Sequence, residues 1–267
     1  GGEAQDGNGD NEAMTPDDFS RLVRERRSVR DFRPDPVPAD ILDQLIADAA
    51  WAPSWSNTQP YLITIATGAV RDRLAGELCA RYDAAAAAQR GNLWDKLRLV
   101  ASRGLPSGDF DTALTYPDEL QPYRRSTGYG LYSVLGIERS DRAARDRQLR
   151  RNFEFFGAPV AVFVFVHAGL KEFSVLDAGG LIQTLLLSAR VHGLGSCAQG
   201  ALATWPQPVR AEFDVPDHYK LICGVSLGYA ADAPVNEYNP GRRKIVHPHP
   251  DSADGFAHPD SRLAAGG

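Results

Sequence analysis

The chain has 267 residues, enough to bury one substantial core, and 43% of them are hydrophobic. Its formal net charge of -5 argues against a nucleic-acid surface as its main function. The longest apolar run, residues 158–166, is too short to span a bilayer, and the N-terminus lacks the apolar core of a signal peptide. Cys79, Cys197 and Cys223 are too widely and irregularly spaced for a disulfide framework or a metal site. A reducing cytoplasm is therefore the simplest setting.

The N-terminal part predicts a flexible tail followed by a capped helix. Residues 1–13 are mostly Gly, Asp, Asn, Glu, Gln and Ala and predict the tail. Thr15 can cap the helix and Pro16 suits its first position. An apolar face follows at helical spacing, formed by Phe19, Leu22 and Val23.

Residues 26–30, Arg-Arg-Ser-Val-Arg, form a segment with three arginines and no acidic residue, called here the arginine segment. Guanidinium groups stay ionised and present a planar fork that suits phosphate. Short basic clusters are also common at solvated helix ends, so the segment alone leaves both interpretations open. Beyond it, Phe32 and the prolines at 34, 36 and 38 predict extended chain.

The rest of the chain alternates helices and strands irregularly, which predicts an α+β domain with a sheet between helices. Helices are predicted over residues 39–50, 70–89, 176–192 and 208–213, and strands over 61–67, 158–167 and 220–229. The stretch 90–152 carries many charges and aromatic residues, and connections of this length are uncommon unless functional. It predicts a largely helical lid over an active site, or else a surface insertion stabilised by its own aromatics.

Three further patterns suggest sites that their context does not support. The glycines at 193–200 have the wrong spacing for a dinucleotide fingerprint and follow a helix. Gly-Val-Ser-Leu-Gly at 224–228 matches the nucleophile elbow of hydrolases, with Ser226 as nucleophile, but no helix is predicted after it. The six histidines are isolated or lie in the C-terminal tail, and nothing predicts a zinc site.

Two more segments complete the pattern that began with the arginine segment. Residues 53–61 read Pro-Ser-Trp-Ser-Asn-Thr-Gln-Pro-Tyr, and residues 234–243 read Pro-Val-Asn-Glu-Tyr-Asn-Pro-Gly-Arg-Arg. In this order, the three segments resemble the FMN-binding elements of the nitroreductase family. The resemblance runs from about residue 18 to about residue 245. It implies a single nitroreductase-like domain over residues 14–245, with residues 246–267 as a C-terminal tail or arm.

The implied fold has a central mixed, mainly antiparallel sheet flanked by helices, a helical lid excursion and an intertwined homodimer. Each of two FMN sites would lie at the dimer interface. The helix at 176–192, with glycines at 179 and 180, would form part of the dimer contact. No nucleic-acid or membrane partner is expected.

By the same resemblance, the arginine segment would hold the cofactor. Arg26 and Ser28 match positions that contact the FMN phosphate and ribityl chain, with Arg27 beside them. Arg30 matches the basic residue near flavin N1 and the C2 carbonyl. Four residues match positions that reach the flavin from the other subunit, namely Pro53, Ser54, Trp55 and Asn57.

The later parts of the chain would complete this site. Gly200 would offer its backbone N–H toward flavin N5, beside Gln199, where some family members carry glutamate. Cys197 would lie near the flavin in a packing role. Arg242 matches the late arginine that returns to the phosphate, and Arg243 takes that role if the register differs by one.

The implied reaction is ping-pong. NADH or NADPH would give hydride to the flavin and leave, and a nitroaromatic, quinone or similar acceptor would then take two electrons at the same site. Alternatives on the same fold are a dehalogenase, an enone reductase or a flavin-destroying enzyme. A non-catalytic FMN-binding protein and a hydrolase using Ser226 are alternatives of other classes.

Overall fold

A computed structural model describes residues 14–91, 94, 99–100, 104–111 and 115–243. Its helices are α1 (Pro16–Glu25), α2 (Ala39–Ala49), α3 (Gly68–Arg90), α4 (Gln121–Val134), α5 (Arg142–Arg150), α6 (Glu172–Val191), α7 (Pro206–Glu212) and α8 (Pro234–Glu237). Its strands are β1 (Tyr61–Thr67), β2 (Val160–His167), β3 (Gly195–Gln199) and β4 (Tyr219–Gly228). The predictions for residues 1–13 and 246–267 concern residues outside this description.

The four strands form one sheet in the order β1-β2-β4-β3, and every neighbouring pair is antiparallel. A single parallel bridge joins Ser28 to Ser196 and adds the arginine segment to the edge of β3. The expected sheet, mixed but mainly antiparallel, is therefore confirmed.

Helices cover both faces of the sheet. The central strand β2 is apolar on both sides, so both sides must be covered, and it is buried along almost its whole length. Ala161, Phe163 and Phe165 pack in one cluster with apolar residues of α3 and α7. The alternate residues of β2 pack in a second cluster with α2 and α6. The expected α+β arrangement follows from these two helical layers.

Local signals predicted most of the elements correctly. Thr15 caps α1 in a capping box with Asp18, and Pro16 takes its first turn, as expected. The expected inward face of α1 is not buried within one chain, because Phe19 is 53% exposed and Val23 is 39% exposed. Two differences from the sequence appear: residues 195–199, for which no strand was predicted, form β3, and the short helix α8 begins at residue 234, where no helix was predicted.

Within the excursion at 90–152, α4 packs near α8 and α5 packs near α3. Tyr238 donates from its hydroxyl to the carbonyl of Thr127 on α4, at 3.0 Å. A Cβ at Gly130 would lie 2.5 Å from that hydroxyl, so only glycine permits this approach. Arg150 of α5 pairs with Asp83 of α3 at 2.9 Å. The lid role of this excursion stays a prediction. Among the helices in the described ranges, none has both the length and the apolar character needed to cross a bilayer.

Candidate functional site

The arginine segment lies along the beginning of β3. The backbone N–H of Val29 donates to the carbonyl of Ser196 at 3.0 Å, next to the parallel bridge from Ser28. A Cβ at Gly195 would lie 2.6 Å from Cγ2 of Val29. Glycine at 195 therefore allows the two backbones to approach closely, which fixes the segment against the sheet.

Asn236 is a residue of α8, and it fixes the other side of the arginine segment. Its side chain is buried, and its Oδ1 accepts from the backbone N–H of Arg30 at 2.8 Å and of Asp31 at 3.2 Å. Its Nδ2 donates to the carbonyls of Asp31 at 2.7 Å and Ala231 at 2.9 Å. All four hydrogen-bonding positions of the amide are used, so residues 30–31 and 231–236 are held together as one unit.

The two late arginines point to different places. Burial and then the positive charge of Arg242 lower the pKa of the Arg26 guanidinium. Arg243 instead places its guanidinium carbon 5.2 Å from the ring centroid of Tyr123 on α4. The charge of Arg242 thus acts on Arg26 while Arg243 contacts α4, and the choice between them as a phosphate ligand stays a prediction.

A cleft of about 450 Å³ opens beside the arginine segment and β3, with Arg26, Arg27 and Ser196 among its lining residues. Its acidic neighbours are already paired: Glu25 with Arg190 at 2.8 Å, and Glu237 with Arg27 at 2.9 Å. In the described ranges no salt bridge reaches Arg26 or Arg242.

The Arg26 guanidinium, which lines the cleft without a carboxylate partner among the described residues, is a donor that fits a phosphate. The geometry thus fits the phosphate end of the expected FMN. Arg27, by contrast, already uses two donors in a bidentate pair with Glu237, at 3.1 and 2.9 Å.

Ser28 and Arg30 lie next to Cys197. Burial raises the pKa of the Cys197 thiol, while the charge of Arg30 and a hydrogen bond with Ser28 oppose that rise. Cys197 belongs to the buried core, as its expected packing role requires. The guanidinium of Arg30 donates to the backbone carbonyl of Ser28 at 3.2 Å, which leaves other donors of its fork uncommitted among the described residues.

Gln199 points its side chain into the interior. Its Nε2 donates to the backbone carbonyl of Asn152 at 3.0 Å and to the Asn152 side chain at 3.2 Å, and its Oε1 accepts from the Ser226 hydroxyl. Any contact of Gln199 with a cofactor must therefore come from its backbone. Ser226 is fully buried inside β4, which is not the exposed turn that a nucleophile elbow needs.

Gly200 follows β3 directly and is exposed. A Cβ at Gly200 would meet no atom within 4 Å, so its backbone amide has open space on the side where a side chain would point. This observation fits the expected close approach of a flavin ring at Gly200. In the part of the chain that is described, no group of three or more His, Cys, Asp and Glu could hold a metal ion.

The loop at 53–61 is fixed to α6 rather than to the arginine segment of the same chain. The backbone N–H of Trp55 donates to Asp177 at 3.0 Å, and the Trp55 ring lies 4.4 Å from that of Phe173. Ser54 accepts from the backbone N–H of Gln59 at 3.0 Å. Three non-glycine residues of this loop have positive φ, namely Ser56, Asn57 and Gln59. Such strained backbone is concentrated at functional sites, and Pro53, Trp55 and Asn57 are exposed.

Large apolar side chains are exposed around this loop and along one face of α6. Trp51 is 89% exposed, Leu176 is 69% exposed and Val191 is 63% exposed. Gly179 lies on the same face of α6, and a Cβ there would meet nothing within 4 Å. Exposed apolar surface of this kind marks an interaction site.

The sequence analysis missed two residues that organise the site. Asn236 and Asn152 were given no role, because an asparagine near a turn normally indicates only local hydrogen bonding. Their partners lie far away in sequence, so no local signal could have identified them.

Comparisons with known proteins show the family of the chain. The sequence profile of the Nitroreductase family matches residues 23–229. The chain is 33% identical to the 4-nitrobenzoate reductase of Pseudomonas putida over 247 residues, which cover 92% of this chain and 97% of that protein. It is 36% identical to nitroreductase NfnB of Mycolicibacterium smegmatis over 212 residues, covering 79% of this chain and 82% of that protein.

Solved structures show the same relationship. The crystal structure of the FMN-dependent nitroreductase NfnB from Mycobacterium smegmatis in complex with NADPH superposes with a TM-score of 0.72 at 34% identity, covering 85% of this chain and 94% of that one. The FMN- and NADPH-dependent nitroreductase NfnB from sphigopyxis sp. strain HMH superposes with a TM-score of 0.71 at 31% identity, covering 84% of this chain and 94% of that one.

Proposed function

The chain belongs to the nitroreductase family, and from this premise we propose that it is a flavin enzyme that uses NADPH or NADH to reduce nitroaromatic compounds. FMN is the proposed cofactor. The similar proteins support both parts, because they include 4-nitrobenzoate reductases and FMN- and NADPH-dependent nitroreductases.

One observation carries the proposal: Arg26 lines a cleft bounded by the start of β3, has no carboxylate partner among the described residues, and has its pKa lowered in part by the positive charge of Arg242. Two like charges repel, so their interaction is unfavourable unless an anion joins them. A phosphate monoester supplies that anion, which favours FMN over a cofactor with no terminal phosphate.

When bound, FMN supplies a ring nitrogen that accepts and donates hydride. The residues of this chain then have separate tasks. Arg26 and Arg242 hold the phosphate, and Ser28 lies beside them. Arg30 places a fixed positive charge near the ring, where it stabilises added negative charge. The exposed amide of Gly200 donates to the ring edge.

We also propose that two chains form a homodimer and that the 53–61 loop of each chain completes the site of the other. The support is the exposed apolar surface formed by Trp51, Trp55, Leu176 and Val191, together with the open glycine on α6. Pro53, Ser54 and Asn57 would then contribute to the second subunit's cleft. In this arrangement α4 and α5 form a lid over the acceptor.

The finer points of the reaction belong to the same proposal. One site would serve nucleotide and acceptor in turn, which predicts parallel double-reciprocal plots when both concentrations are varied. Quinones would serve as acceptors, since they are planar and conjugated like nitroaromatics. The enzyme would work in a reducing cytoplasm, where the free thiols of Cys79, Cys197 and Cys223 would persist.

The test begins with the absorbance spectrum of the purified protein and the identity of its heat-released flavin. We expect the released flavin to be FMN. We also expect the protein to oxidise NADPH at a rate that depends on nitrobenzene. Arg26→Gln should lose FMN because one of two phosphate ligands is removed. Arg243→Gln is the matched control and should keep FMN, because the Arg243 guanidinium lies over the Tyr123 ring. Release of FAD, or equal FMN retention by both variants, would contradict the assignment.

A further inference from the structure

A second cleft lies between α3 and α5, and none of its described lining residues also lines the cleft beside the arginine segment. Its volume is about 660 Å³, which is within the range of small-molecule sites. Aromatic side chains form much of its wall, namely Tyr82, Tyr132, Phe153 and Trp205. Planar aromatic walls favour a planar aromatic ligand.

Arg145 on α5 brings a buried, unpartnered donor to this cleft. Its Nε is buried, and no acceptor in the described part of the chain lies within hydrogen-bonding distance. Buried donors are normally paired, and this one has no acceptor among the described residues, so it can receive one from a bound ligand. Arg150, on the same helix, shows the contrast, because it pairs with both Asp83 and Glu154.

The charges around the cleft favour an anion. Arg142 and Arg145 both line it, and within the described ranges neither has an ion pair. Asp146 is the acidic lining residue, and its backbone carbonyl accepts from the Tyr82 hydroxyl at 3.2 Å. Among the described lining residues, two arginines against one aspartate leave a formal excess of one positive charge.

The cleft begins close to Gly200. Thr204, which lines the cleft, ends the 3-10 segment that Gly200 begins. At a rise of about 2.0 Å per residue, the two residues are separated by roughly 8 Å. Phe153 also lines the cleft and directly follows Asn152, which accepts from Gln199.

We propose that the α3–α5 cleft binds the acidic end of aromatic carboxylate acceptors and that Arg145 donates to the carboxylate. A guanidinium fork matches a carboxylate, and the aromatic walls hold the ring. The nitro group of such an acceptor points toward Gly200. This inference rests on the proposed function, because it names the class of acceptor that the reductase selects.

The kinetic test compares 4-nitrobenzoate with nitrobenzene, which differs from it only by the carboxylate. Arg145→Gln in the flavin-loaded protein should raise KM for 4-nitrobenzoate about 10- to 100-fold, as expected for losing a hydrogen bond to a charged group. Its KM for nitrobenzene should not change. Arg147→Gln removes the same charge from the exposed side of α5 and should change neither value. Equal changes for both acceptors, or none, would overturn the proposal.

A binding measurement separates this inference from the proposed function. Benzoate carries the carboxylate and cannot be reduced, so calorimetry reports the cleft alone. Wild-type protein should bind benzoate, and Arg145→Gln should not. If the wild type fails to reduce nitrobenzene, the proposed function is at fault, while loss of benzoate binding in Arg145→Gln still supports the site. No binding by the wild type, or equal binding by both proteins, would refute it.

Discussion

Replacing Asn236 by alanine tests whether the two ends of the chain are joined as one unit. The substitution removes four hydrogen bonds made by a side chain that is only 2% exposed. At about 1 kcal/mol of net stabilisation for each bond, the expected loss is roughly 4 kcal/mol in the free energy of unfolding. Since domains are stable by about 5–15 kcal/mol, this is a large fraction of the total.

Urea unfolding of the flavin-free protein, followed by circular dichroism, measures this loss. In thermal unfolding, the melting temperature should fall by roughly 8–16 °C, because each kcal/mol shifts the melting temperature of a domain of this size by about 2–4 °C. Asn239→Ala, three residues away at an exposed position without a side-chain hydrogen bond in the described structure, should change stability little. A loss below about 1 kcal/mol for Asn236→Ala would refute the reasoning, because a single ordinary hydrogen bond already contributes that much.

Three further changes have distinct readouts. Arg30→Gln should lower the flavin potential by roughly 30–65 mV with FMN still bound, because a hydrogen bond to a charged group contributes about 1.5–3 kcal/mol. An unchanged potential in redox titration would show that Arg30 does not place its charge near the flavin ring. Gly179→Arg should convert the dimer to a monomer in light scattering, whereas Gly76→Arg, equally open but on α3, should leave it dimeric; a dimeric Gly179→Arg protein would exclude this face. Burial raises the pKa of Cys79 and of Cys223 to about 11, so at pH 8 only roughly 0.1% of each is thiolate. Ellman's reagent should label the folded protein slowly and the urea-unfolded protein fast, and fast labelling of both forms would contradict this burial.

The sequence predicted the elements whose signals are local. The capping pair of Thr15 and Asp18, the alternation in β1 and the apolar run of β2 are all contained within a few residues. The strand β3 escaped prediction because Gly-Ser-Cys-Ala-Gln has little β-propensity of its own. It is a strand because β4 and the arginine segment supply hydrogen-bonding partners on both sides.

The candidate site was predictable only as a set of residue types. Arginines in the first and last segments indicated an anion, and the structure adds that the charge of Arg242 lowers the pKa of Arg26 while Arg27 pairs with Glu237. The exposed apolar face of α1 shows a different limit. Its periodicity identified the apolar residues correctly, but periodicity does not specify whether the same chain or another one covers them.

The salt bridge between Arg27 and Glu237 joins residues 210 positions apart, which matters for how the protein is made. During synthesis at about 5–20 residues per second, the arginine segment leaves the ribosome roughly 10–40 s before Glu237 does. For that interval Arg27 lacks its carboxylate partner and residues 30–31 lack the Asn236 amide, so the proposed phosphate-binding geometry cannot exist on a nascent chain. Cofactor loading is thereby confined to nearly complete chains, and a truncated product that ends before α8 would carry the charges of the site without its shape.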